Sequence, residues 1–193
     1  MTLDKDKKIL IVGLGLIGGS YAAALSQNGW EVGAIDPDPQ AIAFAEKAGF
    51  IRHGRTEPEA EYVGKFDIVV FALYPHVLLE WLEKYGPWLR DGALATDVTG
   101  VKSGVVEKAQ SLLFPRVEFI GAHPMAGREV SGVENARADL FRGANYIVTP
   151  TSANTEEAIT CCEALGRTLG ARNISRLTPK EHDEMIGFLS QLT

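Results

Sequence analysis

The residues with the clearest chemical pattern are three glycines between a predicted strand, Lys8–Val12, and a predicted helix, Ile17–Asn28. The segment consists of Gly13, Leu14, Gly15, Leu16, Ile17 and Gly18. In this context the first glycine permits a tight turn, the second lets the backbone approach a pyrophosphate, and the third lets the helix pack closely against the strand. The amides that begin the helix would face the phosphates with the positive end of the helix dipole. The segment therefore predicts a dinucleotide site.

Asp36 supports this prediction and indicates which dinucleotide binds. It ends a second predicted strand, Glu31–Asp36, and follows the glycine segment by 18 residues. A carboxylate at this point can accept hydrogen bonds from the adenosine ribose and would repel the additional phosphate of NADP. Residues 37–39 (Pro-Asp-Pro) provide no basic side chain for that phosphate. We therefore expect NAD rather than NADP, with a glycine-rich turn that binds nothing as the simpler alternative.

His123 is the candidate catalytic base. It follows a predicted strand, Val117–Gly121, and open α/β sheets place their ligands at the carboxyl ends of the strands. A neutral imidazole can accept the proton of an alcohol as a hydride leaves the same carbon, and histidine titrates in a range suited to this step. Pro124 and Gly127 are expected to shape an irregular loop around it. From spacing alone, a hydrogen-bonded loop histidine is the simpler interpretation.

The segments around these residues alternate between strands and helices. Further strands are predicted at Phe66–Ala72, Ala93–Thr96, Ala144–Thr149 and Ala171–Ser175, and further helices at Pro39–Ala48, Val77–Tyr85, Ser103–Leu112 and from Asn154 (with Glu157) to Leu169. This alternation predicts an α/β fold with a doubly wound, Rossmann-type, mostly parallel sheet over residues 1–177. Thr178, Pro179 and Glu181 then predict the start of a helix over residues 178–193 that is still apolar at the last residue.

Composition and charge argue against several classes of protein. The 193 residues are 46% hydrophobic and 23% charged, with a net charge of −6, which is ordinary for a globular protein and unfavourable for nucleic-acid binding. No apolar run approaches the ~20 residues that cross a membrane. The charged N-terminal segment lacks the apolar core of a signal peptide, so we expect a cytoplasmic protein. The two cysteines, Cys161 and Cys162, are adjacent and predict neither a disulfide framework nor a metal site.

Two further segments carry a resemblance to a known family. One is Thr96–Lys102, and the other is Phe119–Phe141, which contains His-Pro-Met-Ala-Gly-Arg-Glu at residues 123–129. Together with Gly13–Ser20, they resemble the prephenate/arogenate dehydrogenase family of tyrosine biosynthesis, from about Lys8 to the end of the chain. The resemblance implies NAD-dependent oxidation and decarboxylation of a cyclohexadienol. Prephenate would give 4-hydroxyphenylpyruvate and arogenate would give tyrosine, and the sequence leaves this choice open.

The resemblance also implies roles for single residues around His123, which it assigns as catalytic. Glu129 is expected near the substrate, although a solvent-exposed surface carboxylate is an equally simple interpretation. Many members of the family have a serine at the position of Gly100 that is thought to hydrogen-bond the catalytic histidine. Thr99 is the neighbouring hydroxyl in this chain, so either Thr99 takes that role or another group orients the histidine. The role of Arg128, where the family often has a small hydroxyl residue, is left open.

Other positions have simple structural interpretations. Val98 and the segment Leu73, Tyr74 and Pro75 are expected to border the cofactor, although residues 73–75 also fit a plain turn. His53 is interpreted as an exposed loop residue, His76 as a helix cap and His182 as a solvated residue at a helix start. The cysteines are expected to be one buried and one lateral thiol.

The resemblance implies that the last helix opens a truncated all-helical domain that forms a homodimer and completes the substrate site. We therefore expect this chain to bind NAD but to turn over prephenate poorly or not at all. Two alternatives remain open: another Rossmann-type dehydrogenase acting on a hydroxy acid, and a non-catalytic NAD-binding module.

Overall fold

The computed structural model describes residues 2–127 and 130–190, which form strands and helices in alternation. The strands are β1 (Lys8–Val12), β2 (Glu31–Ile35), β3 (His53–Arg55), β4 (Ile68–Phe71), β5 (Leu94–Asp97), β6 (Glu118–Pro124), β7 (Asn145–Thr149) and β8 (Asn173–Arg176). The helices are α1 (Leu16–Gln27), α2 (Pro39–Lys47), α3 (Ala60–Val63), α4 (Pro75–Tyr85), α5 (Val105–Leu113), α6 (Glu156–Thr168) and α7 (Pro179–Ser190), with short 3₁₀ turns at Gly86–Trp88 and Val133–Asn135. In this part of the chain, no helix has the length and apolar character needed to cross a membrane.

The strands form one sheet in the order β3-β2-β1-β4-β5-β6-β7-β8. Neighbouring strands pair in parallel except for β6 and β7, which are antiparallel. The chain proceeds from β1 to β2 and β3 on one side, and then to β4 and the later strands on the other. This reversal opens a crevice beyond the carboxyl ends of β1 and β4, where such sheets bind their ligands. The predicted doubly wound, mostly parallel Rossmann-type fold is confirmed.

Two apolar layers cover the two faces of the sheet. In β1, Ile9 and Ile11 pack on the face covered by α1, α2 and α6, whereas Leu10 and Val12 pack on the face covered by α3, α4 and α5. Successive strand residues point to opposite faces, so a strand covered on both sides must be apolar throughout. The continuous apolar runs in the sequence therefore follow directly from the layered architecture.

The strand β3 and the short helix α3 are not among the predicted elements. β3 has only three residues, two of them exposed, and it is held by parallel backbone pairing with β2 and by a hydrogen bond of 2.6 Å from the Tyr62 hydroxyl to the carbonyl of His53. His53 is exposed as expected, but it lies on an edge strand rather than in a loop. These contacts are tertiary, so no apolar pattern in residues 53–55 marks the strand.

The starts of the last two helices differ in how well the sequence predicts them. Thr178 and Glu181 form the expected capping box before α7, with Thr178 N donating to Glu181 at 2.8 Å and Glu181 N donating to the Thr178 hydroxyl at 3.2 Å. In α6, the cap is Thr155 and not Asn154, because the Asn154 amide donates instead to Gln110 Oε1 and to the carbonyl of Phe119.

Candidate active site

The glycine segment connects β1 to α1, as expected, and the fold requires a glycine at two of its three glycine positions. Gly13 has a φ of +95°, and a Cβ at this position would lie 2.5 Å from the Ala72 carbonyl oxygen. A Cβ at Gly18 would lie 1.9 Å from the carbonyl oxygen of Gly13, so α1 can approach the turn only because residue 18 has no side chain. At Gly15, a Cβ would meet no atom within 4 Å. Gly13 and Gly18 therefore shape the turn, and Gly15 borders open space.

The start of α1 provides backbone donors to that space. Gly15 is the N-cap residue, and no side-chain hydrogen bond caps the helix. The first amides of a helix have no carbonyl partner within the helix, and they carry the positive end of its dipole. Leu16, Ile17 and Gly18, which follow the cap, line the same cleft. This arrangement suits an anionic group such as a phosphate.

The Asp36 carboxylate is fixed at the end of β2. Its Oδ2 accepts a hydrogen bond of 2.6 Å from the amide of Leu14, and its Oδ1 accepts one of 2.9 Å from the amide of Asp38. Asp38 in turn caps α2 by accepting from the amide of Gln40 at 2.8 Å. The carboxylate thus presents a fixed negative charge at the edge of the cleft, next to the glycine turn.

A cleft of about 690 Å³ extends from Asp36 across the ends of the strands to His123. Of the sequence-predicted residues, those that line it are Gly13, Gly15, Leu16, Ile17, Gly18, Asp36, Leu73, Tyr74, Pro75, Val98, Thr99 and His123. Leu14 differs, because its side chain is buried in the core and faces a neighbouring cavity of about 490 Å³. Glu129 and Arg128 lie outside the described residues.

The residues that follow β4 line the cleft next to the glycine turn. Tyr74 is the N-cap residue of α4 and is 77% exposed, and Pro75 is the first residue of the helix. The ring of His76 stacks against Tyr74, with 6.3 Å between the ring centroids. His76 was expected to cap the helix, which is wrong because the helix begins one residue before it and the cap position belongs to Tyr74.

His123 lies within a strand and not in a loop beyond it. β6 continues through Pro124, because residues 121–124 pair antiparallel with β7 and His123 is opposite Ile147. The strand predicted to end at Gly121 therefore extends three residues further. Regular pairing with β7 holds the imidazole at the mouth of the cleft more firmly than a loop would.

A second histidine contacts the ring of His123. The Nδ1 of His123 lies 2.9 Å from Nε2 of His182, and Nδ1 of His182 lies 2.7 Å from Oδ1 of Asp183. His182 is completely buried, so its interpretation as a solvated helix start is wrong. α7 packs against β7 and thereby carries this side chain under the active-site strand. Sequence reasoning missed the contact, which joins residues 59 positions apart; the adjacent His-Asp pair was its local signal.

Thr99 does not contact the ring of His123. Its hydroxyl bonds to the Asp97 carboxylate and to the carbonyl of Val101, the latter at 2.8 Å. Among the described residues, the hydrogen-bond partner of the His123 ring is His182. Of the two possibilities that the sequence leaves open, the structure therefore favours another group orienting the histidine, because the Thr99 hydroxyl is directed into the loop that follows β5.

A buried ion pair lies beneath this loop. The ammonium of Lys102 is 2.7 Å from both oxygens of Asp97 and 2.6 Å from the carbonyl of Ala122, and both charged side chains are fully buried. These contacts join the ends of β5 and β6. Burial lowers the pKa of Lys102, and the ion pair with Asp97 opposes that shift. Sequence reasoning did not single out this pair.

The surroundings keep His123 neutral and Asp183 ionised. Burial, followed by the positive charge of Lys102 and the neighbouring His182, lowers the pKa of His123 from 6.5 to about 4. For Asp183, burial acts to raise the pKa, but hydrogen bonds from His182 and from residues 102 and 103 outweigh it and hold the pKa at about 2. His123 can therefore act as a base at neutral pH.

The cysteines lie away from the cleft, on α6. Both thiols are buried, so the expectation of one buried and one lateral thiol is wrong. Burial raises the pKa of Cys161 to about 11 and that of Cys162 to about 12, which leaves both as unreactive thiols.

Comparison with known proteins places this geometry in context. A family model described as "Prephenate dehydrogenase, nucleotide-binding domain" matches residues 21–175. A prephenate dehydrogenase of Lactococcus lactis is 37% identical over 190 residues, which are 95% of this chain and 50% of the relative.

Two solved structures show the same fold. The prephenate dehydrogenase of Aquifex aeolicus, in complex with hydroxyphenyl propionate and NAD+, has a TM-score of 0.87 and 29% identity, covering 96% of this chain and 65% of that one. The arogenate dehydrogenase of Synechocystis has a TM-score of 0.88 and 31% identity, covering 96% and 64%. The chain spans about half the length of the curated relatives it matches.

Proposed function

We propose, since the chain belongs to the family of prephenate dehydrogenase nucleotide-binding domains, that its cleft binds NAD+ and presents His123 as the base of a cyclohexadienol dehydrogenase. The observation that carries the proposal is the position of His123, which lines the same cleft as the glycine turn and Asp36. The reaction is the oxidation and decarboxylation of prephenate or arogenate by the longer protein of which such a domain is a part.

The residues that line the cleft fit a dinucleotide. The open space at Gly15 and the free amides at the start of α1 suit the pyrophosphate. Asp36 suits the adenosine ribose, and its negative charge disfavours the additional phosphate of NADP. Leu73–Pro75 and Val98 form the wall between the turn and His123, and we assign to them the nicotinamide end of the cofactor.

The chemistry of the step divides between the cofactor and the chain. NAD+ supplies the acceptor for the hydride that leaves the carbinol carbon. His123 accepts the proton of the carbinol hydroxyl, so that this carbon becomes a carbonyl carbon as the hydride leaves. The ring carboxylate then leaves as CO2, the electrons of its C–C bond complete the aromatic ring, and the former carbonyl oxygen becomes a phenolate that takes the proton back from His123. The remaining task of the chain is to hold the imidazole neutral and directed at the hydroxyl.

The low pKa of His123 suits this role once substrate binds. At about 4, the pKa keeps the ring unprotonated in the free chain. A substrate carboxylate nearby would favour the protonated ring and raise the pKa towards neutrality, which makes proton transfer easier. We assign Thr99 an indirect role, because its hydroxyl supports Asp97 rather than the reacting atoms. Glu129 stays a prediction from the resemblance.

The longer protein is required for complete substrate recognition. Because the chain spans about half of its relatives, we expect it to bind NAD+ but to oxidise prephenate poorly on its own. The homodimer, the choice between prephenate and arogenate, and the cytoplasmic location all stay predictions from the sequence.

Calorimetric titration of this chain with NAD+ tests the first half of the proposal, and an absence of binding would contradict it. The second half is tested in the longer protein by the variant His123→Asn, which should leave the NAD+ affinity intact and lower kcat by about 10²–10⁴-fold. An unchanged kcat would remove His123 as the base. In the longer protein, oxidation of simple hydroxy acids instead of cyclohexadienols would support the alternative dehydrogenase. Tight NAD+ binding by the longer protein without any turnover would support a non-catalytic module.

A further inference from the structure

A continuous hydrogen-bonded series leads from α7 to the cleft: Asp183, His182 and His123. The two outer members have defined surroundings. Asp183 is half-buried and accepts hydrogen bonds from two amides of the loop after β5, those of Lys102 at 2.9 Å and Ser103 at 2.8 Å. His123 lines the cleft. The fully buried ring of His182 joins them through both of its nitrogens.

The positions of the protons follow from the carboxylate acceptor, Asp183. An ionised carboxylate can only accept hydrogen bonds, so the Nδ1 of His182 must carry a proton to contact Asp183. In the neutral imidazole, the other nitrogen is then an acceptor, which leaves Nε2 of His182 with a lone pair directed at His123. Nδ1 of His123 must therefore carry a proton, and its Nε2 is left without one.

On the opposite side of the His123 ring, the neighbouring residues 99, 100 and 102 offer no hydrogen bond that would compete with His182 in fixing the tautomer. A Cβ built on Gly100 would lie 4.0 Å from Nε2 of His123, so residue 100 is adjacent to the reactive nitrogen but has no side chain to contact it. The hydroxyl of Thr99 bonds elsewhere. The ammonium of Lys102 is taken up by Asp97 and the carbonyl of Ala122.

We propose that His182 and Asp183 are positioning residues, which hold His123 in the tautomer with the proton on Nδ1 and so leave Nε2 free to accept the substrate proton. The inference rests on the proposed function only in that the proton accepted by Nε2 comes from the substrate hydroxyl. The tautomer itself is a property of this chain, independent of cofactor and substrate. A carboxylate that fixes the tautomer of a catalytic imidazole is an established device, and here a second imidazole is inserted between the two.

NMR of this chain, labelled with ¹⁵N in its histidines, tests the proposal directly. At pH 8, above the ordinary histidine pKa of about 6.5, long-range ¹H–¹⁵N correlations identify which nitrogen of each ring carries the proton. We expect the Nδ1–H form for both His123 and His182, whereas the exposed His53 provides the reference spectrum of an unconstrained ring. An Nε2–H form for His123 in the unmodified chain would overturn the proposal, whether or not any variant folds.

Two substitutions of His182 separate hydrogen bonding from packing. His182→Phe keeps the ring volume but removes the acceptor, so His123 should change to the mixture shown by the reference ring. His182→Gln can donate to Asp183 through its amide nitrogen and accept from His123 through its amide oxygen, so it should preserve the Nδ1–H form. A folded His182→Gln chain with the reference mixture would contradict the proposal, as would an unchanged tautomer in a folded His182→Phe chain. His76→Phe on the surface of α4 is the matched control and should leave His123 unaltered.

Kinetics of the longer protein provide the second readout. His182→Phe should lower kcat by about 10²-fold or more because the base is misoriented, while the NAD+ affinity stays unchanged; the corresponding loss of tautomer control in serine proteases reaches ~10⁴. If NAD+ fails to bind while the Nδ1–H tautomer is observed, the proposed function fails and the positioning role stands. If NAD+ binds and the enzyme is active with the other tautomer, the positioning role alone fails.

Discussion

The two glycines Gly15 and Gly18 should respond in opposite ways to the same substitution. Gly15→Ala adds a methyl group to open space, at a residue whose φ of −76° and ψ of −163° any amino acid can adopt. Its effect on the free energy of unfolding should stay within about 0.5 kcal/mol. The methyl group nevertheless occupies the place where we expect the pyrophosphate to approach the backbone. The NAD+ affinity should therefore fall at least tenfold, or about 1.4 kcal/mol.

Gly18→Ala should instead damage the fold. The new Cβ would lie 1.9 Å from the Gly13 carbonyl oxygen and 3.0 Å from the Cβ of Ala72, and neither atom can move aside by a side-chain rotation. The start of α1 must shift, at a cost of about 1–3 kcal/mol. The intrinsic helix preference of alanine over glycine offsets at most about 1 kcal/mol. The unfolding free energy should therefore decrease.

Urea unfolding and calorimetry with NAD+ distinguish these effects. For the unmodified chain, NAD+ at 100 times its Kd should stabilise by about 2.7 kcal/mol, which raises the Tm by about 5–10 °C. Gly15→Ala should retain the Tm of the free chain but lose about half of this increase, or more, at the same NAD+ concentration. Gly187→Ala, which adds a methyl group to open space on α7, should keep the full increase. Unchanged NAD+ affinity in Gly15→Ala would refute the assignment of the glycine turn.

Three further predictions concern charge. Asp36→Asn keeps an acceptor for the Leu14 amide but removes the negative charge. The ratio of the NAD+ and NADP+ affinities, measured by calorimetry, should therefore fall about tenfold. An unchanged ratio would contradict the role of Asp36 in disfavouring NADP+. Lys102→Met leaves the buried Asp97 carboxylate unpaired and should lower the unfolding free energy by about 3–5 kcal/mol. The double variant with Asp97→Asn should recover most of this loss, as measured by urea unfolding. Equal losses in the single and double variants would argue against the ion pair. The folded-state pKa of His123 lies below the ordinary value, so the stability that its neutral ring contributes is complete above pH 6.5 and is lost as the pH falls from 6.5 to 4. The urea midpoint of the His123→Gln chain should therefore depend less on pH over that range than the midpoint of the unmodified chain. Parallel plots of urea midpoint against pH for the two chains would count against a lowered pKa.

The parts of the fold that could be predicted are those fixed by local rules. The glycine turn is predictable because the chain reversal between β1 and α1 leaves no room for side chains at residues 13 and 18. The central strands are predictable because burial on both faces requires continuous apolar runs. In contrast, β3 depends on backbone pairing at the edge of the sheet, which leaves no side-chain pattern in three exposed or half-exposed residues.

Most residues of the candidate site could be predicted, but the hydrogen bonds between their side chains could not. His123 could be identified by resemblance, whereas its partner His182 lies 59 residues away, and the adjacent His-Asp pair, its local signal, fits a solvated helix start equally well. Burial of that ring depends on how α7 packs against β7, a tertiary property. The same limit applies to Thr99, where sequence proximity suggested a contact with His123 and the hydroxyl turns towards Asp97 instead.

The central claim is that one cleft binds a dinucleotide and places the His123 base beside its nicotinamide ring. A crystal structure of this chain with NAD+ tests this claim most directly. The account predicts the pyrophosphate at the amides that begin α1, the ribose at Asp36, and the nicotinamide ring facing Nε2 of His123 across a space that fits one alcohol group. NAD+ bound elsewhere, or a nicotinamide ring on the far side of the cleft from His123, would contradict it.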